Sequence, residues 1–533
     1  MVALVTRLWG IEWQLPAALY FDELKYVAWA GGAKDDASLT VTDLRNPSLF
    51  HHLLQAEYAL ASVVQHDATA QQVAVAELWL ARLTSAVLGA LACVLVALAA
   101  GAFARAIGRP RDAALAGLAA GLILAVAPLH VHLSHYAVND ATASLFLAAT
   151  LLFGTRALVG GARRDLLLAG LTAGLAFGTK YSFAVVLALP MLAALVARCR
   201  GGEVIGRAVS LLALLAAFVV GALVGAPEIL LSPDAVAAGI VEQARLGGIR
   251  WNGQSDAPVW QLYAETLVQG LGWPALAMAA VGGVAVARRG WRPLLAELAV
   301  PVVCLAVMLR QELFFARFAL PLLPSLALLA GLGVAAVVKL ALRGSGVRTS
   351  HVAGLATVVL AAVLLPEALL TIRHNQLATT TDTRVLARRW LQQRGDGARV
   401  ATELYGQPLL WAGSITPRGF RLQRVASLVD PAVVGKLGCD GTRYFLVASV
   451  TSEREIARRG ARSGETGYAL LARTAKVAAT FDPYLPGKAA PAHPDNTGIP
   501  FWYLDAYARP GPKITVYDLP EGAIPCGPGV AGR

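Results

Sequence analysis

The chain has 533 residues, of which 56% are hydrophobic and only 15% are charged, and its mean hydropathy is +0.58. Soluble domains contain roughly 25% charged residues, so this composition excludes an ordinary soluble protein and predicts a polytopic membrane protein. The net charge of +12 does not predict a nucleic-acid partner, because most Lys and Arg residues lie in short loops between apolar segments or in the C-terminal tail.

The chain opens with a short apolar stretch that ends at two adjacent acidic residues. Arg7, Glu12 and Pro16 interrupt this stretch, which is too short to cross a membrane. We therefore expect that the sequence starts partway through its first span and that the natural start lies upstream. Asp22 and Glu23 follow, where a long polar loop begins, and this placement suggests chemistry at the bilayer surface.

The loop over residues 20–76 is long for a connection, and loops of this length are typically functional. Asn46, Pro47 and Ser48 precede a predicted amphipathic helix over residues 49–64. The apolar positions of this helix predict that it lies in the membrane interface.

Ten strongly apolar segments follow, and most approach the ~20 residues that a membrane-spanning helix requires. In chain order they are residues 78–104, 113–128, 141–159, 166–178, 183–197, 208–226, 262–286, 293–309, 318–338 and 352–370. The second and fourth are short, and the interrupted N-terminal stretch would add an eleventh span. We predict a multi-pass α-helical membrane domain of about 10–11 transmembrane helices over residues 1–371.

The distribution of basic residues orients this domain. Every second loop carries three of them: Arg105, Arg109 and Arg111; Arg156, Arg163 and Arg164; Arg198, Arg200 and Arg207; Arg288, Arg289 and Arg292; and Lys339, Arg343 and Arg348. Cytoplasmic loops are enriched in Lys and Arg, so these loops are predicted to be cytoplasmic. The loop at 20–76 and everything after Thr371 then face the extracytoplasmic side of the cell membrane.

The tail, residues 372–533, is predicted to form a small extracytoplasmic α/β domain. Residues 382–393 have a helical pattern, whereas residues 399–403, 444–449 and 514–517 have strand patterns.

The five cysteines divide between the two parts of the chain. Cys93, Cys199 and Cys304 lie in or beside apolar segments, where we expect them to fill core space. Cys439 and Cys526 lie in the polar tail without metal-ligand spacing. An oxidising compartment would allow them to form a disulfide if their Cα atoms approach each other.

The unusual polar residues near the membrane all fall on the predicted outer face, where ionisable groups are costly and usually face a cavity or each other. Transfer of a sugar from a lipid phosphate needs a base, which Asp22 can supply. It also needs cations for the phosphate, which Lys180 and Arg317 can supply. Asp140 could orient the acceptor or bind a divalent ion with Asn139 and a histidine.

Each of these residues also has an ordinary structural explanation. Asp22 and Glu23 could be solvated loop acids. Lys180 could extend its ammonium group to the interface, and Arg317 could anchor a helix end. Asp140 is suited to cap the span that follows it. The histidines show no ligand pattern on one helix face, so a divalent cofactor stays open and its metal is unknown.

The order of these motifs resembles that of a known superfamily. The motifs are Arg7, Pro16, Asp22-Glu23, Tyr26, Asn46-Pro47, residues 135–140, 174–181 and 317–324, and in the tail residues 381–384, Trp390, residues 511–514 and Tyr517. Together they resemble the C-type glycosyltransferases. The resemblance is to the protein O-mannosyltransferase and aminoarabinose-transferase branch, and to its bacterial members with an extracytoplasmic C-terminal domain.

The resemblance implies an enzyme that uses a polyprenyl-phosphate sugar. By this resemblance Asp22 corresponds to the catalytic aspartate of the first loop, which Glu23 would support, and Asp140 to the acidic residue of the second outer loop. The basic positions near the lipid phosphate would be Lys180, Arg317 and Arg310. The donor or acceptor would contact Tyr26, His51, His135, Asn139 and Tyr181.

We therefore predict an inverting glycosyltransferase that transfers a sugar to a protein, lipid or cell-envelope glycan. A transporter or flippase of a lipid-linked substrate is the alternative. Transporters carry their ionisable residues near the midplane, often between repeated halves. Here the charges lie at one face and no repeat is visible. A non-catalytic surface protein whose tail binds glycans also stays open.

Overall fold

The computed structural model describes residues 1–36, 44–63, 68–160, 162–196, 203–250, 254, 257–342, 349–394, 397–403, 405–406, 419–459, 466–488 and 498–524. Several residues singled out in the sequence lie outside these ranges: Val64, Arg198, Cys199, Arg200, Arg343, Arg348 and Cys526.

Helices form most of the described chain. The α-helices are α1 (Val2–Leu8), α2 (Phe21–Asp36), α3 (Leu49–Ser62), α4 (Ala70–Ala106), α5 (Ala113–Val126), α6 (Pro128–Leu133), α7 (Asp140–Gly160), α8 (Arg163–Thr179), α9 (Ala188–Val196), α10 (Glu203–Gly225), α11 (Glu228–Leu231), α12 (Pro233–Gly247), α13 (Val259–Gly270), α14 (Trp273–Ala287), α15 (Trp291–Met308), α16 (Leu323–Ala341), α17 (Thr349–Ala378), α18 (Thr383–Arg394), α19 (Pro431–Cys439), α20 (Ser449–Arg459) and α21 (Gly467–Thr474). Short 3-10 helices at Pro110–Asp112, Tyr181–Leu187, Ala316–Leu322 and Leu504–Ala506 join some of them.

The membrane part confirms the predicted multi-pass helical fold. Counted over the described residues, six helices are long and apolar enough to cross a membrane, and a bent pair would make seven. The predicted segments at 113–128, 166–178 and 183–197 form the shorter helices α5, α8 and α9. The α5 and α8 helices bury most of their residues, and α9 buries Leu189, Pro190, Ala193 and Ala194.

The predicted span at 262–286 forms two helices rather than one. The α13 and α14 helices meet at an angle of 101°. The break falls at Gly272, whose φ of 95° is incompatible with a continuing right-handed helix. The chain therefore turns sharply here instead of crossing the membrane in one straight helix.

The predicted helix of the first loop forms at the expected place. The α3 helix buries Phe50, Leu54 and Tyr58 against the protein and leaves Leu53 and Leu60 exposed. One apolar face therefore packs against the membrane domain, while the exposed leucines remain available to lipid.

Glycines allow two of the long helices to approach closely. Gly282 of α14 and Gly333 of α16 face each other, so that a Cβ atom at Gly333 would lie 1.9 Å from the Met278 carbonyl oxygen. Small residues are enriched at such helix interfaces in membranes because they let the backbones touch.

The tail contains a five-stranded sheet of β1 (Ala398–Thr402), β2 (Phe420–Arg424), β3 (Thr442–Ala448), β4 (Lys476–Phe481) and β5 (Ile514–Asp518). Its order is β2-β1-β3-β5-β4, with β1 parallel to β2 and β3, and β5 antiparallel to β3 and β4. Helix α18 packs on one face, and α19 and α21 pack on the other. The predicted α/β character is confirmed.

Two of the tail motifs singled out in the sequence meet in the structure. Thr383 donates its hydroxyl hydrogen to the Pro512 carbonyl at 2.6 Å. The buried Asp382–Arg384 ion pair lies beside them, and Arg384 also donates to the Leu19 carbonyl at 3.1 Å. This contact joins the tail to the chain just before Asp22.

The cysteines match their expected environments where the structure describes them. Cys93 and Cys304 are buried and reduced. Cys439 is disulfide-bonded.

We predict that Gly333→Ala destabilises the protein, because the added methyl group would overlap a backbone carbonyl. Overpacking of this kind typically costs about 1–3 kcal/mol. Gly354→Ala in α17 is the matched control, since a Cβ atom there meets nothing within 4 Å. Thermal unfolding of both variants in detergent would show a lower midpoint for Gly333→Ala alone; equal midpoints would contradict the close contact.

Candidate active site

Four predicted site residues from distant parts of the chain meet in one group, which we call the charge cluster: Asp22, Asp140, Lys180 and Arg317. Asp22 forms an ion pair with Arg317. The Lys180 Nζ atom lies 2.6 Å from Asp140 Oδ1. Lys180 also interacts electrostatically with Asp22, and Arg317 with Asp140, so the two pairs are neighbours. The cluster contains two negative and two positive groups.

Local structure explains why these residues meet. Both carboxylates lie in the first turn of a helix, Asp22 in α2 and Asp140 in α7, where the helix dipole favours negative charge. Both cations lie where the chain changes to a 3-10 helix. Lys180 directly precedes Tyr181–Leu187, and Arg317 is the second residue of Ala316–Leu322.

The two ion pairs differ in their access to solvent. The side chains of Asp22 and Arg317 are 34% and 26% exposed, whereas those of Asp140 and Lys180 are 2% and 11% exposed. A ligand that enters from outside would therefore meet Asp22 and Arg317 first. The Lys180–Asp140 pair is the more deeply buried of the two.

The positive groups control the ionisation of Asp22. Burial alone would raise the pKa of Asp22, but Arg317, and more weakly Lys25 and Lys180, hold it below the ordinary value of an aspartate. Asp22 is therefore ionised at neutral pH, which is the state that a general base requires.

Glu23 does not join the charge cluster. Its carboxylate is fully buried and accepts hydrogen bonds from Arg82 at 2.7 and 2.9 Å and from the Ala137 N–H at 3.0 Å. Arg82 also donates to the carbonyl groups of Ile11 and Trp13. This geometry makes Glu23 a positioning residue that fixes the first turn of α2, on which Asp22 lies.

Asn139 and Tyr181 flank the cluster and bind backbone. The Asn139 amide donates to the Thr179 carbonyl at 2.7 Å, and the Tyr181 hydroxyl donates to the Leu44 carbonyl at 3.2 Å. These contacts join the segments that carry Asp140 and Lys180 to their neighbours. Each residue is adjacent in the chain to a member of the cluster, Asn139 to Asp140 and Tyr181 to Lys180.

Tyr26 and His51 lie outside the cluster, where α2 packs on α3. Both are buried, and their ring centroids are 4.7 Å apart. His135 is also buried elsewhere, where its ring nitrogens lie within hydrogen-bond distance of the Val131 and Trp9 carbonyls. Arg310 is exposed at the end of α15 and is not a member of the cluster. These four residues form no ion pair with the four charged side chains, and their role as donor or acceptor contacts stays a prediction.

Arg82 and Glu228 are among the buried ionisable residues that the sequence reasoning missed. Arg82 lies within an apolar span, and an arginine at such a position is a recognisable signal. Glu228 is fully buried, pairs with His52 at 3.0 Å and accepts the Ser48 hydroxyl hydrogen. It had no comparable signal, because its partners lie almost 180 residues earlier in the chain.

Within the described ranges, no group of three or more His, Cys, Asp or Glu side chains is arranged to hold a metal ion. The divalent cofactor therefore stays a prediction from the sequence.

We predict that breaking the Glu23–Arg82 pair is strongly destabilising, because the remaining partner would be a buried unpaired charge. Removing one partner of a buried pair typically costs about 3–5 kcal/mol. Arg82→Met should therefore lower the unfolding temperature more than the double variant Glu23→Gln with Arg82→Met. Arg245→Gln, which breaks an exposed pair with Glu242, is the control and should leave that temperature unchanged. A double variant no more stable than Arg82→Met would oppose this account.

Comparison with known proteins gives one family and one fold. Residues 70–225 match the family described as dolichyl-phosphate-mannose-protein mannosyltransferase. A comparison with curated proteins finds no sequence match. The chain is similar to the crystal structure of ArnT from Cupriavidus metallidurans in the apo state, with 14% identity and a TM-score of 0.51 over 98% of both chains.

Two further structures show weaker similarity. ArnT from the same organism bound to undecaprenyl phosphate is 15% identical, with a TM-score of 0.48 over 98% of both chains. The apo oligosaccharyltransferase of Archaeoglobus fulgidus is 13% identical, with a TM-score of 0.49 over 84% of this chain and 69% of that chain. The chain thus matches the mannosyltransferase family model over residues 70–225 and shares its fold with apo ArnT, as expected for the C-type membrane glycosyltransferases that its motifs resemble.

Proposed function

We propose that the protein transfers a sugar from a polyprenyl-phosphate carrier to an acceptor hydroxyl group, with inversion at the anomeric carbon. The observation that carries this proposal is the charge cluster, in which a partly exposed carboxylate pairs with an arginine and also interacts with a more deeply buried lysine. The description of the matched family, which names a dolichyl-phosphate sugar, supports a donor of this class.

In the proposed reaction, Asp22 takes the proton from the acceptor hydroxyl. The acceptor oxygen attacks the anomeric carbon, and the bond from that carbon to the phosphate oxygen breaks. The electron pair leaves with the polyprenyl phosphate. Because this is a single displacement, the anomeric centre inverts and no covalent enzyme intermediate forms.

Arg317 and Lys180 would bind the phosphate. The donor is a phosphodiester with one negative charge, whereas the departing phosphate monoester has two. The two cations therefore interact more strongly as the bond breaks, which is the condition for lowering the barrier rather than only binding substrate. The planar guanidinium group of Arg317 can bind two phosphate oxygens at once, while the ammonium group of Lys180 acts as a point charge.

The ion pairs suggest how donor binding prepares the base. Arg317 and Lys180 are each paired with a carboxylate. A phosphate would compete with these carboxylates for the same cations, and Arg317 would then turn from Asp22 to the donor. Asp22 would be left closer to an acceptor and with a weaker counter-charge, so that it becomes a stronger base.

The basic loops support an extracytoplasmic site in the cell membrane, where a lipid-linked donor would enter from the outer leaflet. Membrane lipids would surround the donor tail. The acceptor would be a protein, a lipid or a cell-envelope glycan. Neither the sugar nor a metal requirement follows from the cluster.

We expect Asp22→Asn to abolish transfer while leaving the fold intact, since the amide keeps the shape of the side chain but cannot accept the proton. Loss of a general base typically lowers the rate by about 10²–10⁴-fold. The assay is transfer of labelled sugar in proteoliposomes, with lipid translocation measured in parallel. Retained transfer would exclude Asp22 as the base, and translocation without transfer would favour a flippase.

We expect the acidic limb of the pH profile to depend on Arg317. The parent enzyme should lose no activity through Asp22 between about pH 5 and about pH 8, because the pKa of Asp22 lies below its ordinary value of about 3.9. Arg317→Gln removes the group that lowers the pKa of Asp22 most, while burial remains, so this pKa rises. On acidification, kcat/KM therefore begins to fall at a higher pH than in the parent enzyme. Arg310→Gln, which changes an exposed arginine outside the cluster, should not move the limb. An unmoved limb in Arg317→Gln would contradict the coupling.

A further inference from the structure

We propose that residues 498–502 of the tail, the tail segment, hold the two chain segments that carry Asp22 and Arg317 at the spacing that the reaction needs, so that the tail segment sets the rate of the reaction. This inference rests on the proposed function and assigns the tail a positioning role in it.

The tail segment is embedded in the membrane domain rather than lying on its surface. Ile499 and Trp502 are completely buried, and Phe501 is 3% exposed. The Phe501 ring centroid lies 5.5 Å from that of His132, which follows α5. Phe501 and Trp502 belong to the core of the membrane helices, while Ile499 belongs to the core around α2. The segment therefore bridges two cores.

One set of contacts leads from the tail segment to Asp22. The Ile499 N–H donates to the Tyr136 hydroxyl oxygen at 2.9 Å. The Tyr136 ring stacks on Tyr20, with centroids 4.0 Å apart and planes at 10°. Tyr20 stands two residues before Asp22. Gly498 lies against both rings, because a Cβ atom there would be 2.5 Å from the Tyr136 hydroxyl and 3.0 Å from Tyr20.

Tyr136 is also linked to Glu23, the residue that follows Asp22. Ala137 directly follows Tyr136, and its N–H donates to Glu23. The position of Tyr136 therefore constrains the residues on both sides of Asp22. A shift of Ile499 would displace Tyr136 and with it the first turn of α2.

A second set of contacts leads to Arg317. The Trp502 ring lies 6.3 Å from Phe314, which also packs on Tyr263 at 5.0 Å. The next residue, Phe315, has its ring 4.9 Å from the Arg317 guanidinium carbon. Trp502 thus packs against the chain segment that carries Arg317.

The two sets of contacts begin three residues apart in the tail and end at the two members of one ion pair. A simple anchor would not need this convergence, because other contacts already fasten the tail. Among them are the hydrogen bond from Tyr503 to Glu265 and that from Arg373 to the Tyr507 carbonyl. A misplacement of about 1 Å at a reacting group can cost 10²-fold in rate.

The test compares Trp502→Ala and Tyr136→Phe with the control Tyr503→Phe. Trp502→Ala removes the support of Phe314, and Tyr136→Phe removes the acceptor of the Ile499 N–H without changing the ring. Tyr503→Phe removes the hydroxyl of the adjacent residue, which donates to Glu265 and is a member of neither set of contacts. Each variant is assayed as the full-length protein for thermal stability, kcat, KM for the donor and the pH profile of kcat/KM.

We expect Trp502→Ala to lower kcat at least about tenfold. A looser Asp22–Arg317 contact should also shift the acidic limb of kcat/KM to higher pH, as we expect for Arg317→Gln. Besides Arg317, Asp22 faces Lys25 and Lys180, and Lys180 stays neutralised by Asp140, so separation from Arg317 dominates the change. Tyr136→Phe should give a smaller change in the same direction, and Tyr503→Phe none.

A purely structural role would lower thermal stability without moving the limb, and that result would overturn the proposal. If Trp502→Ala does not fold, Tyr136→Phe decides, because it keeps the ring and removes only one hydroxyl group. The outcome is separable from the proposed function. Activity in Asp22→Asn would refute Asp22 as base, whereas an inactive Asp22→Asn beside an unmoved limb in Tyr136→Phe and folded Trp502→Ala would refute only the role of the tail segment.

Discussion

The buried ion pair between Glu23 and Arg82 is the constraint on which the arrangement around the charge cluster depends. Both side chains are inaccessible to solvent, and each is satisfied by several hydrogen bonds. Through them α2, α4, the N-terminal segment and the turn after Tyr136 are joined at one point. Burying two charges is costly unless their geometry is good. The pair therefore permits few alternative positions for the neighbouring Asp22.

The fixed position of Asp22 keeps the two ion pairs of the charge cluster distinct. A mobile aspartate near two cations would collapse onto whichever was nearer. Here the inner cation, Lys180, already has Asp140, and the outer cation, Arg317, faces Asp22. The cluster is neutral as a whole, which lowers the cost of keeping four ionisable groups close to the bilayer. The carboxylates can also be displaced separately, since an incoming phosphate can replace one of them as the partner of a cation.

The charge cluster could be predicted from the sequence because its members are ionisable groups at the ends of apolar segments. Such groups are conspicuous in a chain with so few charges, and the pattern of basic residues predicts that their loops share one face. The separate roles of Asp22 and Glu23 could not be predicted from their adjacency. Successive residues on a helix point about 100° apart, and only the position of Arg82 decides which one is buried.

Other parts of the fold were less accessible to prediction. The break between α13 and α14 has a local signal in Gly272, but hydropathy alone continues across it. Strands β2 and β4 lie at the two edges of the sheet, where exposed and charged side chains replace the regular apolar alternation of inner strands. The contact of Trp502 with Phe314 joins residues that no sequence spacing relates.

The tail segment carries its own signal once the fold is known. Ile499, Phe501 and Trp502 are large apolar residues in a region that is otherwise polar and rich in Gly and Pro. Residues of this size would be costly on a surface, so their burial must occur against something outside the tail sheet. They pack beside the chain segments that flank Asp22 and Arg317. Packed cores shift between discrete arrangements rather than deform smoothly. A movement of the tail segment would therefore change the geometry of the Asp22–Arg317 pair and not only the stability of the protein.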